Sequence, residues 1–407
     1  MTPAARVAAA AGILDSVQAG NRAEAALSAW GRASRFAGSS DRAAVRDLVF
    51  EALRRRRSLA WLAGAGDGPA SGRDLMIGAC VAAGQDPDTV FTGQGHAPAP
   101  LSPAERARLA AAPPLARAPE GVALDCPDWL VEPLRAALGA AFAPVMAILQ
   151  ARAPLWLRVN TARADQGSVL QALAEEGILA EPHPAVPTAL RVTQGAPRVQ
   201  RSAAFAAGLV EVQDLGSQIV SAQAPVTPGL RVLDYCAGGG GKALALAARG
   251  AAVTAHDAAP RRMAGLPARA ARAGLAIDCL PGPVPAGAPA FGLVLLDVPC
   301  SGSGTWRRNP ELKWALDRAG LERLTAVQDG ILAAAAQHVA PGGMIQYVTC
   351  SLLEAENGAR VAAFLAANPG FALSAERRVS PSEGGDGFYS ALLVRAPAEP
   401  APAGIRP

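Results

Sequence analysis

The chain has 407 residues, enough for two or three domains that each bury a core. Half of it is apolar, yet no stretch reads as a bilayer span, and the N-terminus lacks the charged start and cleavage pattern of a secretory signal. Six cysteines without a CxxC pair argue against a zinc site or a disulfide framework, and a formal charge of +4 permits a nucleic-acid partner without requiring one.

Read in chain order, the first 90 or so residues are helical. "AARVAAAAGILDSVQAG" and "RAEAALSAWGRASRFAG" carry apolar residues at helical spacing and end at Gly20 and Gly38. "SSDRAAVRDLVFEALRRRRSLAWLAG" follows, with Ser39, Ser40 and Asp41 as candidate caps. The run Arg54 to Arg57 reads either as a solvated helix end favoured by the helix dipole or as a phosphate-contacting patch. A Pro/Ala-rich linker closes this helical module over 1–115. A small α+β domain is expected over 116–204, where the strand-like "PLWLRVNT" alternates with the helical "DQGSVLQALAEEGI". Over 205–396 the pattern becomes strand, glycine loop, helix, strand, and so on, which predicts a mostly parallel, doubly wound α/β sheet of Rossmann-like type. Residues 397–407 read as a flexible tail.

The first strand of that sheet runs into "VLDYCAGGGGK". Glycines at such a turn let the backbone approach a cofactor. There is no GxxxxGK[ST] loop and no properly spaced GxGxxG, so a phosphate-binding reading fails. The next strand ends in Asp257, where a carboxylate suits ribose hydroxyls, and Asp278 comes later, placed to hold an adenine amino group. Acids after successive strands without a phosphate loop suit S-adenosylmethionine better than a dinucleotide. Positive charge in the chain is nearly all arginine. Lysine occurs only at Lys242, in the glycine loop, and at Lys313.

"DVPCSGSG" places Asp297 and Cys300 just past one buried strand, and "VTCS" places Cys350 just past another. Buried cysteines are usually inert, the expected fate of Cys80 and Cys126. Two thiols on the rim that holds a methyl donor have a chemical use. Carbon 5 of a pyrimidine is a poor nucleophile, but thiolate addition at carbon 6 makes it enamine-like and able to attack a sulfonium methyl. An acid near ring nitrogen 3 assists, and a second cysteine can help the enzyme thiol leave.

These residues resemble the Sun-type RNA cytosine-5 methyltransferases. "DYCAGGGGK" is similar to the family's cofactor loop, "DVPCSGSGTWRRNPELKW" to its motif IV and "VTCSLLEAEN" to its motif VI. "LWLRVNTARADQGSVLQAL", "GLVEVQDLGSQIV" and "DGFYSALLVR" resemble the preceding domain, the lead-in to the sheet and its final strand. The resemblance implies that Cys350 is the nucleophile, that Cys300 serves product release, and that Asp297 touches both cofactor and target base. It implies S-adenosylmethionine held by Cys236, Ala237, Gly238, Gly239, Gly240, Gly241, Lys242, Asp257, Asp278 and Asp297. Arg158 and Asn160, Arg307, Arg308 and Asn309, and Lys313 are expected to meet RNA or brace the site. Gly239 stands where the family commonly carries proline, which implies a more flexible loop.

"GSSDRAAVRDLVFEALRRRRSLAW" resembles the NusB-like domain on the RsmB branch of the family, which implies that the helical module and the α+β domain after it bind RNA, chiefly through arginine–phosphate contacts. This implies a cytosine in 16S ribosomal RNA, or a small-subunit assembly intermediate, as substrate. A cytoplasmic monomer is expected, with no metal and no membrane partner. The rival readings are an enzyme acting on transfer RNA or another RNA, a DNA cytosine or protein N-methyltransferase, and an RNA-binding assembly factor that has lost catalysis.

Overall fold

In the computed structural model, residues 1–66, 70–285 and 290–397 are described. The chain forms two compact units, Met1–Arg152 with Thr305–Leu316, and Ala153–Gly304 with Asp317–Pro407. Beyond Pro397 the expected tail lies outside the described residues.

The first unit is helical. Its helices α1 (Pro3–Gln18), α2 (Ala23–Ala33), α3 (Ser39–Arg54), α4 (Arg56–Leu62) and α5 (Gly72–Ala82) close on a core that includes Leu14, Val45, Val49, Leu53, Leu59, Leu75 and Phe91. α4 and α5 approach so closely that a Cβ on Gly78 would sit 1.9 Å from the Leu59 carbonyl oxygen. The linker is partly helical as well. Ser102 and Glu105 form a capping box that starts α6 (Pro103–Ala111).

α7 (Asp128–Leu138) and α8 (Phe142–Leu149) pack with this unit. Together Asp128–Leu149 are 22 residues, long and apolar enough to cross a bilayer, which corrects the expectation that no such stretch exists. The run is broken, however, at Gly139, which has φ +55°. Its apolar side chains Leu130, Leu134, Phe142, Val145, Met146 and Leu149 are buried.

The run Arg54 to Arg57 falls at the end of α3, as the helix-end reading expects, and each guanidinium also has a partner inside the unit. Arg54 Nε donates to the Arg307 carbonyl (2.7 Å), and Arg55 faces Glu51 (3.6 Å). Arg56 lies over the Trp314 ring (5.5 Å), and Arg57 pairs with Asp128 (2.6 Å).

The second unit holds two sheets. Strands β1 (Leu155–Val159), β2 (Leu179–His183), β3 (Val186–Gln194) and β4 (Val210–Val212) form an antiparallel sheet in the order β2-β3-β1-β4. It is backed by α9 (Gln166–Glu175) over Leu157, Val159, Val169, Leu173 and Leu190. α10 (Leu215–Gln223) follows, its first turn capped by Asp214, whose Oδ1 accepts from Gly216 N (2.7 Å).

The larger sheet runs through β5 (Arg231–Asp234), α11 (Gly241–Ala247), β6 (Ala252–Ala255), α12 (Leu266–Ala273), β7 (Ile277–Cys279) and β8 (Phe291–Asp297). It continues through α13 (Arg318–Ala336), β9 (Val339–Thr349), α14 (Gly358–Ala367), β10 (Phe371–Val379) and β11 (Phe388–Arg395). Spatial order is β10-β11-β9-β8-β5-β6-β7. Strands β7, β6, β5, β8 and β9 are parallel, and β11 runs antiparallel to β9 and β10. The expected parallel, doubly wound sheet is therefore present. Chain order reverses between β5 and β8, and a ligand crevice opens at such a reversal, outside the carboxyl ends of the strands.

Candidate active site

Side chains expected to act together meet at that reversal. Asp234 ends β5, Asp297 ends β8, and Lys242 reaches across from α11, its Nζ 2.7 Å from Asp297 Oδ2. Lys242 is buried while Asp297 is partly open, and the ammonium also lies 5.1 Å from the Phe388 ring centroid. One of the chain's two lysines is thus committed to the carboxylate that the sequence places at the centre of the chemistry.

The glycine turn between β5 and α11 depends on two left-handed residues, Gly238 (φ +52°) and Gly240 (φ +77°). A Cβ on Gly240 would also strike Leu266 Cδ1 at 2.2 Å. Ala237 N donates to the His256 carbonyl, and Gly238 N to Asp257 Oδ2 (2.9 Å). Asp257 Oδ1 takes Ala259 N (2.8 Å), and Arg262 stands 3.2 Å from its Oδ2. The Gly239 carbonyl accepts from Arg269, which Glu211 holds from β4 (2.9 Å). This brace restrains the turn where the expected proline is missing.

Asp278 behaves differently. It lies in the body of the edge strand β7, paired in register with Thr254 and exposed, whereas Asp257 lies beyond the end of β6. The proline-rich stretch after it includes residues 286–289, which lie outside the described residues.

Cys300 and Cys350 follow the adjacent parallel strands β8 and β9, and their sulfurs are 3.3 Å apart. Both are partly exposed, whereas Cys80 and Cys126 are buried, and burial pushes the Cys126 thiol up to about 12. The hydrogen bond to Cys350, and then burial, hold the Cys300 thiol well above its ordinary value. Cys236 lies on the glycine turn, and burial beside Asp234 and Asp297 raises its thiol strongly as well.

Beneath the two sulfurs lies a polar platform that sequence reading missed. Glu356 is fully buried. Its Oε1 accepts from Ser301 N (2.8 Å) and Gln328 Nε2 (3.0 Å), and its Oε2 from the Ser301 and Ser351 hydroxyls (both 2.5 Å). Ser303 Oγ takes Leu352 N (2.8 Å), and Asn357 bonds Thr349 Oγ1 (2.6 Å) and the Ser351 carbonyl (2.9 Å). One carboxylate thereby stitches the loop after Cys300 to the loop after Cys350. The available signal was a Glu-Asn pair in "LLEAEN" beside small hydroxyl residues flanking both cysteines.

Arg158 and Asn160 are revised toward bracing. Both are buried. Arg158 donates to Gln213 and to the Gly241 carbonyl (2.7 Å), and Asn160 to the carbonyls of Gly208 (2.9 Å) and Ala273 (2.8 Å). Burial and these bonds make both residues braces, Arg158 at the start of α11 and Asn160 at the entry to the sheet. Arg307 and Lys313 turn inward too, within the helical unit. Lys313 Nζ donates to the Arg54 carbonyl (3.0 Å), and burial lowers its pKa to about 8, with Asp125 opposing the shift. Arg308 is half-buried and Asn309 exposed, so these remain accessible.

The donor set fits S-adenosylmethionine. That molecule brings a sulfonium, an ammonium and a ribose diol, all of which suit the carboxylates Asp234, Asp257 and Asp297. Asp234 Oδ1 is buried without a partner among the described residues, an acceptor awaiting a donor. A diphosphate would instead meet three carboxylates.

Burial, and then the nearby Asp297, push the Asp234 carboxyl up to about 7. The folded state thus holds this proton over a range where the unfolded chain has released it. The stabilisation from the raised pKa is complete below about pH 4 and lost as pH rises through about 7. Asp234→Asn removes this dependence. Thermal melts should show the variant gaining on wild type from pH 4 to pH 7, by about 3–5 kcal/mol, and then levelling off.

Comparison with known proteins agrees with this geometry. Residues 224–394 match the family model "16S rRNA methyltransferase RsmB/F", and residues 126–199 the "Methyltr_RsmF/B-like, ferredoxin-like domain". Ribosomal RNA small subunit methyltransferase B of Xylella fastidiosa (strain 9a5c) is 36% identical over 288 residues, covering 66% of this chain and 68% of that protein. The Salmonella arizonae protein of the same name is 34% identical over 284 residues, so the match spans 66% of that relative's length. The solved structure of PH0851 superposes with TM-score 0.71 at 22% identity, over 97% of this chain and 99% of that one. A methyltransferase homolog protein from Pyrococcus horikoshii gives TM-score 0.60 at 20% identity, over 68% and 97%. With its doubly wound sheet, its rim of carboxylates and its paired thiols, the chain belongs to the RsmB/F family of methyltransferases.

Proposed function

We propose that the protein methylates carbon 5 of a cytosine in 16S ribosomal RNA, using Cys350 as covalent nucleophile. The observation that carries this reading is the pair of sulfurs 3.3 Å apart at the ends of adjacent strands, beside Asp297. Its partner is RNA in the small subunit or an assembly intermediate. We read it as a monomeric cytoplasmic enzyme with no membrane partner. The six cysteines, all unbridged, suit a reducing compartment.

S-adenosylmethionine, when bound, supplies an electrophilic methyl group. Asp234, Asp257 and the 236–242 turn hold it, with Asp297 beside it. The Cys350 thiolate forms a bond to carbon 6 of the target cytosine, and the displaced electron pair makes carbon 5 nucleophilic. Asp297, fixed by Lys242, stands where it can deliver a proton to the ring nitrogen on which negative charge develops, with the Lys242 ammonium offsetting the carboxylate that remains. After carbon 5 is methylated, solvent takes its proton, the C–H electron pair restores the carbon 5–carbon 6 double bond, and the carbon 6–sulfur pair leaves on sulfur, returning the Cys350 thiolate. A thiol that keeps its proton is a donor and not an attacking group. Cys300, its sulfur 3.3 Å from that of Cys350, serves the release step by donating to the leaving sulfur.

The target base must leave its stack to reach Cys350, which costs least in a loop or single strand. The experiment is transfer of labelled methyl to unmodified small-subunit RNA, with nuclease fragments read by mass spectrometry. We expect 5-methylcytosine at a single site. Label appearing in transfer RNA and never in small-subunit RNA would overturn the substrate assignment.

A further inference from the structure

With Arg54 to Arg57 engaged inside the helical unit, its strongest unspent positive charge lies elsewhere. Arg22, Arg32, Arg35 and Arg42, on α2, α3 and the segments beside them, are all exposed and have no carboxylate partner among the described residues. Residues 21–46 contain just two acids. Glu24 is taken by Arg46 (2.5 Å), and Asp41 is buried beneath Arg6 and the Met1 amino group. Phe36, in the loop between the helices, is 76% exposed, more than any other large apolar side chain among the described residues.

This loop is held in place. Ala37 N donates to the Ser34 carbonyl (3.0 Å), Gly38 N to Asp41 Oδ2 (3.2 Å), and Arg42 Nε to the Ala37 carbonyl (3.0 Å). The Arg42 guanidinium crosses to α2, where a Cβ on Gly31 would sit 3.6 Å from its Nη1. A groove of about 410 Å³ runs between the two helices, lined by Trp30, Arg32, Arg42 and Arg46 among others.

A lone exposed aromatic is ordinary. One carried on a hydrogen-bonded loop among arginines without carboxylate partners, with a groove between the two flanking helices, has the chemistry of single-stranded RNA recognition, in which phosphates meet guanidinium groups and a base stacks on the ring. We propose that the α2–α3 face is an RNA-docking site, where an unpaired nucleotide stacks on Phe36 and flanking phosphates lie against Arg32, Arg35 and Arg42. The proposal rests on the RNA-methyltransferase reading and adds the surface that captures the substrate.

The test uses the full chain and an unmodified small-subunit RNA, with binding followed by fluorescence anisotropy across a salt series. Phe36→Ala should raise Kd about tenfold with little change in salt slope. The Arg32→Ala/Arg35→Ala/Arg42→Ala triple should raise Kd at least about tenfold and flatten the slope of log K against log salt by about 2. KM for RNA should rise in both while kcat at saturating RNA stays unchanged. Arg191→Ala, which removes an exposed arginine already paired with Glu181, should change nothing. If the triple melts early, Arg32→Ala/Arg35→Ala carries the test, since neither side chain makes a hydrogen bond among the described residues. Kd values within twofold of wild type for both variants would overturn the proposal. So would normal binding to naked RNA with loss of activity on protein-bearing particles alone, because a protein would then dock here. A wild type that binds RNA but transfers no methyl would sink the functional reading, while the binding comparison would still judge this face.

Discussion

Replacing Cys350 with alanine should lower methyl transfer by roughly a thousandfold or more, because it removes the thiolate proposed to attack carbon 6. Replacing Cys300 with alanine has a different outcome. Attack still occurs, but release fails, and a denaturant-stable protein–RNA adduct accumulates on gels within the time of one wild-type turnover. The sulfurs lie 3.3 Å apart, close enough for one to hand a proton to the other, and the family resemblance assigns attack to Cys350 and release to Cys300. An adduct in the Cys350 variant and none in the Cys300 variant would reverse the roles.

Glu356→Ala should be the most damaging change away from the thiols. The carboxylate accepts four hydrogen bonds from Ser301, Ser351 and Gln328 in a fully buried position. Removing it leaves those donors unpaired and costs about 3–5 kcal/mol. The loops that carry Cys300 and Cys350 lose their common anchor. Thermal melts should show the loss of stability, and methyl transfer should fall even at temperatures where the variant is folded. Glu356→Gln should be milder, since its amide oxygen still accepts while its NH2 group opposes the neighbouring donors. A Glu356→Ala protein that melts and turns over like wild type would show that the platform does not position the thiols.

Much of the catalytic sheet was legible in the sequence because its strands are short apolar runs broken by glycine turns, and a parallel order follows from that alternation. Asp297, Cys300 and Cys350 announced themselves by their place at strand ends. The scarcity of lysine was informative too. Both lysines are buried in engaged positions, Lys242 on Asp297 and Lys313 on the Arg54 carbonyl. Side-chain direction was not legible. Arg158, Asn160 and Arg307 carry the residue types of an RNA surface, yet burial turns them onto backbone carbonyls and into the core, a choice made by tertiary packing. The same holds for Arg54 to Arg57, whose partners come from residues distant in the chain as well as from the preceding turn. Glu356 escaped notice because its four donors come from three separate segments. Asp278 read as a strand-end acid, and the structure places it one strand position too early, since the end of a three-residue edge strand has no periodicity to mark it.

The central claim is that Cys350 carries the base. The most direct test is RNA with 5-fluorocytosine at the target position, incubated with the protein and S-adenosylmethionine. Fluorine replaces the proton that must leave carbon 5, so the adduct cannot resolve. A stable conjugate is expected, with the nucleotide mapped by peptide analysis to Cys350. A conjugate on Cys300, or continued turnover with no conjugate, would contradict it.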